Sequence, residues 1–350
     1  MKVIMISTDS RIWEESSQVR KRMREYAGLF EKLVVIVVGR EKQAAVEEGN
    51  LKIEAAGSRW RLVALWRAYG AAWRVVGSGE WVVSTQDLFE TGVVGWLLRR
   101  RRLVAGWQAQ VHTDFLSPYF KRESWKNAVR VWIARRILPK ADGVRAVSER
   151  IKRSLIKIGV AESKISVLPI FVPEPEARAR KGEYILILSR LTKEKNLGMA
   201  IEAMAQVLKE WPEERMMVVG EGGERETLES KVKSLKLKDK VVFKGWQEET
   251  GEWLVGAKML LVTSNYEGYG MAAIEAVRVG VPVVMTEVGV AGEIVKDGEN
   301  GLVVPVGDSR AVAEAMKKIL GGEFKLAKTD YRFRSKKDYL ERFRENLELM

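Results

Sequence analysis

Residues 258–282 read KMLLVTSNYEGYGMAAIEAVRVGVP, which divides into an apolar run, a loop with two glycines and a helix-forming segment. The apolar run at 258–263 predicts a short buried strand. Good helix formers at 271–279, with glycine at 280 and proline at 282, predict a helix that ends there. Strand and helix segments alternate along the rest of the chain as well, which predicts an α/β fold with parallel sheets.

Two glutamates belong to this unit, Glu267 in the loop and Glu275 about two turns further on, inside the helix. Gly268 and Gly270 have no side chains where the helix begins, so a ligand can approach the backbone N–H groups there. Those donors and the helix dipole favour an anion such as a phosphate. A carboxylate inside the helix can then accept two hydrogen bonds from the diol of a ribose. The stretch therefore predicts a sugar-nucleotide site.

The pair Glu267 and Glu275 resembles the E-x7-E signature of retaining glycosyltransferases of family 4, and the residues from 267 to 284 are similar to that family throughout. The resemblance implies the GT-B fold, in which two Rossmann-like domains face each other across a cleft. It also implies a nucleoside-diphosphate-sugar donor, with Glu267 on sugar hydroxyls and Glu275 on the ribose. The remaining donor contacts expected at the helix opening are Gly268, Tyr269, Gly270 and Met271.

The predicted organisation is two domains, to which a length of 350 residues is well suited. An acceptor-side Rossmann-like domain is expected at 1–170 and a nucleotide-sugar-binding Rossmann-like domain at 183–322. Three prolines between 169 and 175 predict a linker at 171–182. The resemblance implies that the tail at 323–350 ends in a helix that packs back on the N-terminal domain.

Composition excludes several classes of protein. The chain is 46% hydrophobic and 31% charged, as in soluble globular proteins, and its apolar runs are too short for a membrane span or a signal peptide. It has no cysteine, which excludes disulfides and thiolate metal sites. These features predict a cytoplasmic protein.

The net charge of +13 is concentrated in the first half of the chain. Residues 1–170 contain 31 Lys and Arg against 17 Asp and Glu, whereas residues 171–350 contain 29 against 30. Nine of the twelve tryptophans also lie in the first half, several of them in the arginine-rich segments 59–74 and 121–136. This asymmetry predicts an anionic partner, either a membrane surface or a polyanionic glycan acceptor. The alternative is that the tryptophans pack on the sheet and the basic residues are merely solvated.

Basic residues follow the first strand of the predicted second domain. Arg190 and Lys195 supply the fixed positive charge that a diphosphate needs, and they are similar to the Arg and Lys with which the family holds its donor. Two further turns follow strands in this domain. Gly220 is a candidate for a backbone contact with the donor, although turn glycines without a ligand are also common. By resemblance, the turn at Lys244 and Gly245 lies against the nucleobase.

His112 is the only histidine and follows a strand predicted at 103–108. A family pattern of histidine in the corresponding loop implies a role beside the transferred sugar, so we take His112 and Glu267 as the candidate catalytic residues. The first loop has no glycine pair of the kind that many family members use, so side chains would have to substitute. The acceptor-side candidates are Arg11, Ser16, Asp87, Asp114 and Ser148.

The predicted function is a metal-independent, retaining glycosyltransferase with a glycan or lipid-linked acceptor and no cofactor. No Asp-x-Asp sequence occurs, and one histidine without cysteine makes a transition-metal site improbable. The alternatives are a sugar-nucleotide epimerase of GT-B architecture and a non-catalytic protein that binds sugar nucleotides or polyanions. Nucleic acid is an unfavoured partner, because no helix-turn-helix, finger or aromatic RNA platform is evident. The residues specify neither the nucleobase nor the sugar.

Overall fold

A computed structural model describes residues 1–41, 43–77, 80–173, 182–327 and 331–350. The chain folds into two compact units, one formed by Met1–Pro169 with Arg334–Met350 and the other by Ile170–Phe333. Most of the predicted linker, residues 174–181, lies outside the described residues.

The first unit is built on an eight-stranded sheet in the order β3-β4-β2-β1-β5-β6-β7-β8. All neighbouring strands are parallel except the pair β3 and β4. The central strands are almost wholly apolar because helices cover both faces of a parallel sheet. The strands are β1 (Lys2–Ser7), β2 (Lys32–Val37), β3 (Val46–Glu48), β4 (Leu51–Ala55), β5 (Trp81–Thr85), β6 (Gly106–Val111), β7 (Gly143–Ala146) and β8 (Ile165–Val167).

In the described part of the first unit, six α-helices connect these strands. The helix after β1 begins at residue 18, because Ser17 caps it by accepting a hydrogen bond from the Arg20 N–H. The helices are α1 (Gln18–Ala27), α2 (Arg61–Val76), α3 (Glu90–Arg100), α4 (Pro118–Glu123), α5 (Trp125–Ile137) and α6 (Glu149–Lys157).

The second unit has a six-stranded, fully parallel sheet in the order β11-β10-β9-β12-β13-β14. Its strands are β9 (Tyr184–Leu188), β10 (Met216–Val219), β11 (Val241–Gly245), β12 (Ala257–Val262), β13 (Val283–Thr286) and β14 (Gly301–Val304). Its helices are α7 (Leu197–Val207), α8 (Arg225–Ser234), α9 (Gly251–Val255), α10 (Met271–Val279) and α11 (Ser309–Leu320). The predicted α/β class with two parallel sheets is confirmed.

The last helix, α12 (Lys336–Glu348), belongs to the first unit. Its Phe343 ring stacks on Tyr26 with ring centroids 4.2 Å apart. The Tyr339 hydroxyl lies 2.7 Å from the Tyr26 hydroxyl and accepts a hydrogen bond from Arg145 Nη2 at 3.0 Å. Within the described ranges, none of the helices combines the length and the apolar character needed to cross a membrane.

Two sequence predictions about the first unit are wrong. The strand predicted at 103–108 is β6, which runs from 106 to 111 and includes two buried glutamines. Those polar side chains fit inside because Gln110 Nε2 donates to Ser84 Oγ at 2.8 Å and Ser84 Oγ donates to Gln108 Oε1 at 3.1 Å. The packing on the sheet that was considered for the tryptophans of segments 59–74 and 121–136 is also wrong. All five of these side chains are largely exposed: Trp60, Trp66, Trp73, Trp125 and Trp132.

Candidate functional site

The donor-side candidates lie at or shortly beyond the carboxyl ends of β9 to β12 in the second unit. β9 and β12 are neighbours at the centre of the sheet, and the strand order runs outward from them in both directions. Ligands of open α/β sheets bind at such a reversal point, beyond the carboxyl ends of the strands. The loops at 189–196 and 263–270 both leave the sheet there.

Hydrogen bonds tie these two loops together. The Asn265 N–H donates to the Glu194 carbonyl at 2.7 Å, and Thr263 Oγ1 donates to the Lys195 carbonyl at 3.1 Å. Asn196, in the left-handed region at φ 47°, donates from Nδ2 to Asn265 Oδ1 at 3.1 Å. Sequence reasoning assigned no role to these positioning residues, although asparagine adopts the left-handed conformation more readily than most residues other than glycine.

Glu267 and Lys195 form an ion pair through Glu267 Oε1. Ser264 Oγ donates to the same oxygen at 2.9 Å. The side chains of Lys195 and Glu267 are only 17% and 13% exposed, so the pair is shielded from bulk water. Neither contact uses Glu267 Oε2, which leaves that oxygen available to a ligand hydroxyl.

Arg190 is exposed and, among the described residues, makes one ion pair, from Nη2 to Glu194 Oε1 at 3.2 Å. A guanidinium has five N–H donors, so most of them remain available to a diphosphate. Arg190 lies two residues after the end of β9, so it leaves the sheet at the same carboxyl edge as Lys195.

Glu275 lies in the second turn of α10 and is mostly buried. It has no hydrogen bond or ion pair with any residue that the structure describes. Burial alone raises its pKa to about 7. A mostly buried carboxylate without a partner is costly for the protein, and strongly perturbed pKa values of this kind are concentrated at functional sites.

The start of α10 is formed by backbone without a capping side chain. Gly270 takes φ 96° before the helix, and the first amides of the helix have no intrahelical acceptor. The Tyr269 carbonyl accepts from the Val290 N–H at 3.0 Å. A Cβ on Gly289, where φ is +52°, would lie 2.5 Å from that carbonyl and 3.0 Å from Glu267 Cβ. Gly289, which sequence reasoning missed, thus keeps the Glu267 loop in place.

The turn after β10 and the end of β11 are held by their own contacts. Lys244 and Gly245, predicted in a turn, are instead the last two residues of β11. The Gly220 N–H donates to the Gly245 carbonyl at 2.8 Å. A Cβ on Gly220 would lie 1.9 Å from the Ser189 carbonyl, so a glycine is needed there for packing alone. Gly245 has φ 74°, and Lys244 Nζ lies 5.8 Å from the centre of the Trp253 ring. Donor contacts at these three residues stay predictions.

In the first unit, His112 follows β6 directly, and its Nε2 lies 3.1 Å from Gln110 Oε1. The same oxygen accepts a hydrogen bond from Arg145 Nη1 at 3.1 Å. Burial first, then the positive charges of Arg145 and Arg22, lower the pKa of His112 to about 3. The imidazole is therefore neutral near pH 7, and it can act there as a hydrogen-bonding group but not as a cation.

The other candidates of the first unit also follow strands, and most have local structural roles. Asp87 Oδ1 accepts from the Phe89 and Thr91 N–H groups at 2.9 and 3.2 Å, which stabilises the start of α3. Ser148 caps α6. Arg11 pairs with Asp9 at 2.9 Å, and Ser16 is exposed. Burial raises the pKa of Asp114. Their roles toward an acceptor stay predictions.

Two family models match the chain. The model described as "Glycosyl transferase 4-like domain" matches residues 17–170, and "Glycosyl transferases group 1" matches residues 171–336. Together the two matches extend over most of both units.

Curated relatives match parts of the chain. An exopolysaccharide phosphotransferase of Streptomyces coelicolor is 31% identical over 192 residues, 53% of this chain and 20% of the relative. The N-acetyl-alpha-D-glucosaminyl L-malate synthase of Bacillus anthracis is 33% identical over 144 residues, 41% of this chain and 38% of the relative. The chain spans less than half the length of the first curated relatives it matches.

A solved structure matches almost the whole chain. The Anabaena protein HepE in complex with UDP and glucose superimposes with a TM-score of 0.72 at 19% identity, over 94% of this chain and 92% of HepE. At this identity the likeness shows the shared fold.

Proposed function

This chain belongs to the family 4-like glycosyltransferases with the GT-B fold, as predicted from its sequence, and on that premise we propose that it transfers a sugar from a nucleoside-diphosphate sugar to a glycan or lipid-linked acceptor. The proposal includes retention of configuration at the sugar and catalysis without a metal ion. The bond from the sugar to the diphosphate breaks with its electron pair on the diphosphate, the acceptor oxygen bonds to the sugar, and the proton of the acceptor hydroxyl passes to the leaving diphosphate.

The observation that carries the proposal is the carboxylate of Glu275, which has no partner among the described residues and lies in the helix whose first amides are left uncapped by any side chain. A ribose diol would supply two hydrogen-bond donors to Glu275 while the phosphates approach the helix N-terminus. The complex of HepE with UDP and glucose supports a donor of this class.

Charge that develops on the leaving diphosphate needs fixed positive groups. Lys195 and Arg190 provide them at one edge of the sheet, together with the first amides of α10. In this proposal Lys195 is shared between Glu267 and the diphosphate, and Glu267 Oε2 accepts from a sugar hydroxyl. His112 acts beside the reacting sugar as a neutral imidazole.

Turnover tests the proposal directly. The chain should release nucleoside diphosphate from at least one of the uridine, guanosine or adenosine diphosphate sugars when a glycan or lipid-linked acceptor is present. Conversion of the free donor into its epimer without an acceptor would identify an epimerase instead. Tight binding of sugar nucleotides without release from any donor would identify a non-catalytic binder.

Chelation should leave this activity unchanged, because the proposed charge stabilisation comes from side chains and backbone amides. The measurement is the initial rate before and after incubation with EDTA. A complete loss of rate that magnesium or manganese restores would contradict the metal-free part of the proposal.

Replacing Arg190 with alanine should lower the affinity for the nucleoside diphosphate about tenfold or more, because a hydrogen bond to a charged group contributes about 1.5–3 kcal/mol. Affinity for the bare nucleoside should stay unchanged, since the partner of Arg190 is the diphosphate. Calorimetric titration with both ligands makes the comparison. An equal loss for both would assign Arg190 a structural role.

A further inference from the structure

Helix α2 exposes its largest apolar side chains. Leu62, Trp66 and Trp73 are between 60 and 76% exposed, and their spacing along the helix places them on one side. The side that faces the protein interior consists of small residues: Ala64, Ala68, Ala71 and Ala72. The usual arrangement, with bulky apolar residues inside and polar residues outside, is thus reversed.

Helix α5 has a similar exposed stripe. Trp125, Val129 and Trp132 follow one another at spacings of four and three residues and are between 45 and 75% exposed. Arg136 lies over the Trp132 ring, with its guanidinium carbon 4.1 Å from the ring centre. The interior side of α5 is formed by other residues: Asn127, Val131, Ala134 and Ile137.

The two stripes lie on the same face of the first sheet. α2, α3 and α5 connect β4 to β5, β5 to β6 and β6 to β7, and all three connections move in the same direction across the sheet. Right-handed crossovers therefore place the three helices on one face. Glu90 of α3 joins the other two helices, because its Oε1 pairs with Arg61 Nη2 at 3.0 Å and with Arg130 Nη2 at 2.7 Å. We call the exposed residues of 59–76 and 118–137 the α2–α5 surface.

This surface carries a large excess of positive charge. Residues 59–76 and 118–137 contain ten Lys and Arg and one Asp or Glu. Two of these cations, Arg61 and Arg130, pair with Glu90. None of the other eight cations forms an ion pair with a residue in the described ranges. These eight are Arg59, Arg67, Arg74, Lys121, Arg122, Lys126, Arg135 and Arg136.

We propose that the α2–α5 surface docks on an anionic lipid bilayer, with the tryptophans in the headgroup layer and the arginines at lipid phosphates. Tryptophan suits this layer because its ring is largely apolar while its N–H stays hydrated. Arginines beside the rings extend their charge to the phosphates as the rings insert. The match of exposed aromatic stripes with unpaired cations favours a bilayer over a purely polar polyanion, which would not need the tryptophans.

The test is co-sedimentation of the full chain with phosphatidylcholine vesicles, with and without phosphatidylglycerol, at low and high salt. Binding should require phosphatidylglycerol and should weaken strongly at high salt, because ions screen surface charges. The assay uses no sugar nucleotide, so its outcome is independent of the proposed function.

Two pairs of substitutions separate the contributions. The double variant Trp66→Ala/Trp132→Ala should have a vesicle affinity lower by about thirtyfold or more, because each substitution removes a ring whose apolar surface the bilayer would bury. Arg135→Ser with Arg136→Ser should lower it about thirtyfold, at roughly fivefold for each basic residue. Matched controls on the second unit, Trp246→Ala and Lys233→Ser, should bind as the unaltered chain does. Because all the replaced side chains are exposed, circular dichroism should show an unchanged fold.

Several results would overturn the proposal. One is the absence of salt-dependent binding to the anionic vesicles. Another is unchanged vesicle affinity in the double tryptophan variant, together with full competition by soluble polyphosphate, which would identify a polyanion site. A third is a dimer in analytical ultracentrifugation that Trp66→Ala dissociates, which would make the surface an interface between copies of the chain.

Discussion

Replacing Glu275 with glutamine should stabilise the ligand-free protein at pH 8 by about 2–3 kcal/mol. The reason is the burial that raises the pKa of Glu275 to about 7, from 4.5 in the absence of such effects. At pH 8 the folded chain holds an ionised carboxylate in a site where no described residue compensates it, and glutamine removes that charge while it keeps the shape.

The pH dependence of this gain has a defined sign. A raised folded-state pKa means that the unfolded chain loses its proton first, near pH 4.5, so native stability falls as the pH rises from there to about 7. The stabilisation by glutamine should therefore be largest above pH 7 and fall below about 1 kcal/mol at pH 5. Urea unfolding at both pH values measures it. Glu226→Gln, on an exposed part of α8, is the matched control and should change stability by less than about 0.5 kcal/mol.

The same substitution should lower the affinity for the donor about tenfold or more, because the ribose diol loses its charged hydrogen-bond acceptor. Unaltered protein should likewise lose donor affinity as the pH falls below 7 and Glu275 takes up a proton. Titration calorimetry with the nucleoside diphosphate, across pH, measures both effects. A variant that is more stable and still binds the donor normally would show that Glu275 is an ordinary buried side chain.

Sequence patterns predicted those parts of the fold that rest on local signals. β12 and α10 follow from an apolar run, helix formers and the terminating Gly280. By contrast, β3 and β8 are three residues long, which is too short for a periodic signal. The strand β6 was predicted three residues too early, because its buried glutamines resemble the polar residues of a loop. The exposed side of α2 was also not predictable, since only the packing shows that its alanines, and not its tryptophans, face the interior.

The sequence supplied the residues of the candidate site but not their arrangement, and their roles stay predictions. The motif placed Glu267 and Glu275 correctly on one loop and one helix. The pairing of Lys195 with Glu267 joins loops separated by 72 positions, and nothing in either segment specifies it. It depends on the neighbouring positions of β9 and β12 in the sheet, which is a property of the topology.

Replacing Lys195 with methionine should have two separable effects, of which the first is on stability. The change leaves the Glu267 carboxylate largely enclosed and without its cation. Breaking a buried pair in this way costs about 3–5 kcal/mol, and we expect about 2–3 kcal/mol here because both side chains retain some contact with water. Combining Lys195→Met with Glu267→Gln should recover most of the lost stability, since the unpaired charge is then removed.

The second effect is on the donor, and the double variant isolates it. Lys195→Met should lower the affinity for the nucleoside diphosphate about tenfold or more and leave the affinity for the bare nucleoside unchanged, because the proposed partner of Lys195 is the diphosphate. The double variant should be nearly as stable as the unaltered chain and still bind the diphosphate weakly. If restoring stability also restored affinity, Lys195 would act only by holding Glu267 in place. A loss of affinity that persists in a stable protein is what direct contact between Lys195 and the diphosphate requires.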